Sequence, residues 1–178
     1  MSKVINIVGY SSNVGKTLLI ENLIKELKSR GYSIATNGRE PLFCCLREEK
    51  KEVRSIKILL AVDENTVAGW KRVVISSKNR FAMIKELNEE IEFNDIIKLL
   101  LDKDIILVEG YKNSNLRKIE VYRSGVSDKI ITPKEKIIAV ASDINLNLEN
   151  IKVIDKNSIK ELADLIEKEN EFKFEIYQ

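Results

Sequence analysis

Lys3–Val8 (KVINIV) is a short apolar run, GYSSNVGKT follows it at residues 9–17, and TLLIENLIKELKSRG then repeats apolar residues at helical spacing. Strand, glycine-bearing loop and helix in that order constrain the fold more tightly than any other part of the chain. The loop is read as the phosphate-binding (Walker A) pattern G-x-x-x-x-G-K-[ST], with Gly9, Gly15, Lys16 and Thr17 at the fixed positions. Glycine leaves no side chain between the backbone N–H groups and phosphate oxygens. The phosphates then lie at a helix N-terminus, where unpaired N–H groups and the helix dipole favour negative charge. Ser11, Ser12, Asn13, Val14 and Leu18 complete the expected cradle. Lys16 is expected at the β- and γ-phosphates, and the Thr17 hydroxyl on Mg²⁺.

The remainder of the chain fits an α/β domain. Its 178 residues suffice for a sheet covered by helices on both faces. Lys16–Arg30 reads as the first helix, stopped by Gly31, and Tyr32–Thr36 as a second strand. Between residues 37 and 69 the periodicity is ambiguous: Pro41 breaks the backbone, EEKKE at 48–52 is a solvated charge cluster, and IKILLAV at 56–62 suits a strand or a short helix. A loop followed by hairpin strands is the expectation there. KRVVIS at 71–76 reads as a strand, Arg80–Leu87 as a helix and Asn94–Leu101 as a short helix. DIILVEGY at 104–111, Lys118–Tyr122 and Lys136–Ala141 read as further strands, and Ser158–Lys168 as a terminal amphipathic helix. This alternation implies one P-loop NTPase-like domain over residues 1–178: a mainly parallel sheet flanked by helices, with a possible β-hairpin insertion and a variable, switch-like segment at 37–69.

Charge and cysteine content exclude several function classes. Thirty basic and 28 acidic residues leave a formal charge of +2, which gives no general case for nucleic-acid or membrane binding. No apolar stretch reaches membrane-spanning length and no secretory h-region is visible, so a cytoplasmic location is expected. Cys44 and Cys45 are adjacent, a poor arrangement for a disulfide and no zinc spacing. With no histidine, His-dependent triads and His-ligated metal sites are excluded within one chain.

A phosphate loop needs an acidic partner at the end of a neighbouring apolar strand. DIILVEG at 104–110 supplies Glu109, a candidate for Mg²⁺ ligation through water or for orienting the attacking water, with Asp102 and Asp104 as nearby competitors. Gly110 lets the chain pass close to the γ-phosphate. Lys16 and Glu109 are therefore the catalytic candidates, and Thr17 and Glu109 the metal candidates.

The segments GYSSNVGKT, DIILVEGYK, KIEVYR and IIAVASD, in this order and spacing, resemble the molybdopterin-guanine dinucleotide biosynthesis protein B (MobB) family of the P-loop GTPase class. NRFAMIKE at 79–86 is also similar to a family segment. The resemblance implies a dimeric accessory protein that binds GTP, hydrolyses it slowly and assists the guanylyltransferase that attaches GMP to molybdopterin. Asp143, just after IIAVA, stands where a carboxylate would accept the guanine N1–H and amine protons; a helix cap or turn former is the equal alternative. The match breaks after the second strand. The family usually carries a lysine-histidine pair, a further histidine and an acidic stretch before an Ala-Gly pair; this chain has Gly38-Arg39, and only Asp63-Glu64 before Ala68-Gly69. Two other functions remain open: a small P-loop kinase or ATP-dependent synthetase, and a non-hydrolysing regulatory subunit.

Overall fold

The computed structural model describes residues 2–38, 57–62, 70–76, 81–85, 89 and 91–173. Readings that concern Arg39, Pro41, Cys44, Cys45, residues 48–52, Asp63-Glu64 and Ala68-Gly69 lie outside them. The chain divides into two compact units, one of residues 1–44 and 97–178, the other of residues 45–96.

The first unit is built on six strands: β1 (Lys3–Gly9), β2 (Ile34–Gly38), β6 (Ile105–Glu109), β7 (Lys118–Tyr122), β8 (Ile137–Ser142) and β9 (Val153–Asp155). They pair in the order β2-β6-β1-β7-β8-β9, every pair parallel. Parallel strands are covered on both faces and read as continuous apolar runs, as KVINIV, IILV and IIAVA do. Two helices, α1 (Lys16–Ser29) and α3 (Ile159–Lys168), pack on one face. Leu19, Ile20, Leu23 and Leu27 of α1 and Leu162, Ala163 and Ile166 of α3 meet Ile5, Ile7, Ile119, Val121, Ala139 and Ala141 in one apolar cluster. Arg30, just past α1, donates to Asp164 at 2.6 Å and Glu167 at 3.0 Å and so clasps α1 to α3.

The second unit contains an antiparallel sheet of β3 (Lys57–Val62), β4 (Trp70–Ser76) and β5 (Phe81–Lys85), in sequence order. Lys57–Val62 of IKILLAV is thus a strand, and its antiparallel partner is β4, which carries KRVVIS from beyond the segment where hairpin strands were expected. The helix expected over Arg80–Leu87 is corrected: Phe81 pairs with Ser76 and Lys85 with Arg72 along β4. Alanine, methionine, lysine and glutamate favour a helix locally, but sheet pairing overrides so small a preference over five residues. A short helix, α2 (Phe93–Lys98), replaces the expected Asn94–Leu101 and leads back to the first unit.

Candidate functional site

The centre of the site is the exit from β1. Between Gly9 and Gly15 stand five residues, Tyr10 to Val14, one more than G-x-x-x-x-G-K-[ST] contains, so the assignment of Gly9 to the pattern's first position is corrected. Counting back from Thr17, that position falls on Tyr10. The loop contains a 3₁₀ turn at Ser12–Val14, whose Val14 side chain is buried in the α1 cluster. Gly9 is required for another reason: a Cβ there would lie 2.5 Å from Val14 Cγ2 and 3.0 Å from the carbonyl oxygen of Val121. Gly15 has φ +101°, in the left-handed region that glycine enters without strain, and it launches α1.

At the start of α1 the Leu19 N–H is the one that reaches back to the Gly15 carbonyl, at 3.1 Å. The amides of Lys16, Thr17 and Leu18 precede the helix's own ladder, as those of any first turn do. Lys16 is largely buried, with its ammonium 3.1 Å from the Ser11 carbonyl oxygen and 3.4 Å from that of Ser12. The Leu18 side chain stands in solvent.

Facing Thr17 is the end of β6. The Thr17 hydroxyl lies 3.2 and 3.5 Å from the two carboxylate oxygens of Glu109. Parallel pairing of β6 beside β1 makes this meeting possible, because both strands end at the same edge, Ile7 opposite Glu109. Asp102 and Asp104 are elsewhere. Asp104 lies at the opposite end of β6, where it accepts from the Ser33 N–H at 2.7 Å and hydroxyl at 2.6 Å; these bonds hold its carboxyl below the usual range. Asp102 pairs with Lys103. After Glu109 the chain turns sharply, Gly110 at φ +87° and Tyr111 at φ +45°.

Asp143 lies at the same carboxyl-terminal edge, just past β8, which pairs with β7, itself beside β1. Its carboxylate accepts from the Ser124 N–H at 2.8 Å and from Lys156 Nζ at 3.0 Å, and the Ser124 bond foremost, then Lys156, holds its carboxyl below the usual range. Asp143 thus ties residue 124 to the end of β8.

Sequence reasoning missed the layer behind the loop. Tyr10 is hydrogen-bonded to Asp128, which pushes its phenol pKa up. Lys112 Nζ donates to the Tyr10 carbonyl at 2.9 Å, and Arg123 Nη1 to the Asn13 carbonyl at 3.1 Å. Lys118 and Glu120 on β7 are both buried. The signal was present in KIEVYR: two charges alternate with Ile119 and Val121, a pattern more readily read as a solvated sheet face.

Among the described residues, no group of three or more histidine, cysteine, aspartate or glutamate side chains gathers in a way that could hold a metal. The pair formed by the Thr17 hydroxyl and Glu109 carboxylate still fits Mg²⁺ chemically. The ion takes oxygen donors, typically one or two carboxylates with waters and ligand phosphates.

Comparison with known proteins places this geometry in a family. Residues 63–143 match the family model described as molybdopterin guanine dinucleotide synthesis protein B (MobB). The chain is 31% identical over 168 residues to the molybdopterin-guanine dinucleotide biosynthesis adapter protein of Escherichia coli, covering 87% of this chain and 86% of that protein. It is 28% identical over 166 residues to the adapter protein of Haemophilus influenzae, covering 92% and 86%. Among solved structures, the MobB homolog from Bacillus stearothermophilus superposes with a TM-score of 0.63 at 18% identity, covering 93% of this chain and 99% of that one. Bacillus subtilis MobB gives 0.62 at 13% identity, covering 94% and 99%. The six-stranded parallel sheet is thus the fold of these structures, and the chain belongs to the MobB family.

Proposed function

We propose that this protein is a GTP-binding adapter of molybdopterin guanine dinucleotide biosynthesis that assists the guanylyltransferase attaching GMP to molybdopterin. The adapter role is supported by family membership and by the relatives' names. The nucleotide reading rests on one observation above all: the Thr17 hydroxyl and the Glu109 carboxylate meet across the first turn of α1, 3.2 Å apart.

In this reading Gly9, Ser11, Ser12, Asn13, Val14 and Gly15 shape the cradle, and the amides of Lys16, Thr17 and Leu18 receive phosphate oxygens. Lys16 supplies a charge at the β- and γ-phosphates. Thr17 and Glu109 would hold Mg²⁺, which when bound offsets charge on the transferred phosphoryl group. Glu109 also accepts a hydrogen bond from the attacking water, and Gly110 keeps that side open. Asp143, held ionised, accepts the guanine N1–H and amine protons, which adenine lacks at that edge. Slow turnover is what the family resemblance implies, although this chain has Gly38-Arg39 in place of the family's histidine-bearing segment. The protein works in the cytoplasm as a homodimer. Among the described residues no helix is long and apolar enough to cross a bilayer.

Calorimetric titration of GTP and ATP in Mg²⁺, on the wild type and on Lys16→Ala, tests this reading. Binding of GTP in preference to ATP, lost in Lys16→Ala, is expected. ATP preference with rapid phosphate transfer to a small acceptor would replace it with a kinase or synthetase. Cofactor maturation that survives without nucleotide binding would leave a regulatory subunit.

A further inference from the structure

Four consecutive carbonyls of the phosphate loop each receive a cationic side chain. Lys112 holds that of Tyr10 at 2.9 Å, Lys16 those of Ser11 and Ser12 at 3.1 and 3.4 Å, and Arg123 that of Asn13 at 3.1 Å. Lys16 belongs to the loop pattern itself, whereas Lys112 and Arg123 come from the segments that follow β6 and β7. A carbonyl oxygen carries partial negative charge and repels an incoming phosphate; one occupied by a cation repels it less. Holding a carbonyl also fixes the whole planar peptide unit to which it belongs. Lys112 and Arg123 thus pin the Tyr10–Ser11 peptide plane ahead of the 3₁₀ turn and the Asn13–Val14 plane within it.

Both cations are carried on anchored backbone. Asn6 donates to the Tyr111 carbonyl at 3.0 Å and the Ser114 hydroxyl at 3.1 Å, fixing the segment that bears Lys112. Buried Lys118, opposite Asn6 in the β1–β7 register, donates to the Ser114 carbonyl at 2.6 Å and that of Leu116 at 2.9 Å. On the other side the Arg123 N–H donates to Ser127 Oγ at 3.1 Å, and the Ser127 N–H returns a bond to the Arg123 carbonyl at 2.8 Å. Lys112 and Arg123 themselves are exposed, so the fold does not depend on burying them.

We propose that Lys112 and Arg123 are positioning residues of the phosphate loop, bracing its carbonyls from outside so that the anion cradle is formed before ligand arrives. The proposal deepens the nucleotide-binding reading and rests on it. A preformed cradle spares the ordering that binding would otherwise have to supply. Because the braces act on the loop and not on the ligand, they serve every phosphate ligand alike.

The test is titration of GTP, GDP and inorganic pyrophosphate into the wild type, Arg123→Gln, Lys112→Gln, Arg123→Lys and the double variant, with thermal unfolding measured alongside. Each single glutamine variant is expected to weaken all three ligands by a common factor, on the order of tenfold, the scale of one charge-assisted hydrogen bond. The double variant weakens them further, Arg123→Lys recovers part of the loss, and the unfolding midpoint stays unchanged. Loss confined to GTP would overturn the proposal, because it would mean direct contact with the γ-phosphate. Unchanged affinities in the double variant would overturn it as well. Wild-type binding of pyrophosphate without guanine preference would defeat the GTP reading while the common factor still upheld the braces; binding of none of the three would defeat both.

Discussion

Glu109 owes its place to an arrangement that no single segment encodes. Its strand is apolar and fully buried up to Val108, and only its last residue emerges, beside the Thr17 hydroxyl. A carboxylate there can orient water without being needed to hold the phosphates, which the proposed reading assigns to amides and Lys16. Glu109→Gln keeps the size and one acceptor oxygen but removes the charge. It is expected to lower the GTP hydrolysis rate by about a hundredfold, the low end of acid–base contributions, while changing GTP affinity much less. Single-turnover hydrolysis beside equilibrium titration separates the two effects, and unchanged turnover would remove Glu109 from the chemistry.

Taken as an element, the loop between β1 and α1 is tightly fitted, with Gly9 at its tightest point. In Gly9→Ala the new methyl would press on Val14 and on the backbone oxygen of Val121, and β7 cannot retreat, since it is paired on both sides. A loss of about 1–3 kcal/mol in urea unfolding is expected, the usual cost of overpacking, together with weaker nucleotide binding. The sequence conveyed this element's strand–loop–helix order, because buried parallel strands and amphipathic helices each leave a periodic trace. It conveyed Glu109 too, as the acid that ends an apolar run. The loop's length was legible as well, in the five residues between Gly9 and Gly15, but Gly9 imitates a pattern glycine one place early. The sequence did not reveal β5, where FAMIK suits either period and only the pairing with β4 decides. Lys112 and Arg123 were illegible as braces because their acceptors are backbone carbonyls, which carry no residue identity.

For the whole molecule, Lys118 is the most consequential placement. Its ammonium is buried on a strand, its acceptors are the neutral Ser114 and Leu116 groups, and burial, helped by the charge of Lys136, pulls its pKa down to about 8. The unfolded chain holds that proton up to the ordinary value of 10.5. Between about pH 8 and the ordinary lysine value the unfolded state therefore binds more protons, and stability rises with pH there; below about pH 8 the penalty is present in full. Urea unfolding across this window should show the wild type gaining stability relative to Lys118→Met, whereas parallel curves would refute the buried charge. The sheet order carries one more consequence, and it concerns time. β1 lies between β6 and β7, strands that begin at residues 105 and 118. The first seventeen residues spell most of the proposed phosphate site, yet at about 5–20 residues per second a ribosome takes roughly 5–20 s more to deliver the strands that hold them. The nascent chain carries its most informative segment unpaired throughout that interval, so the site written first is among the last to form.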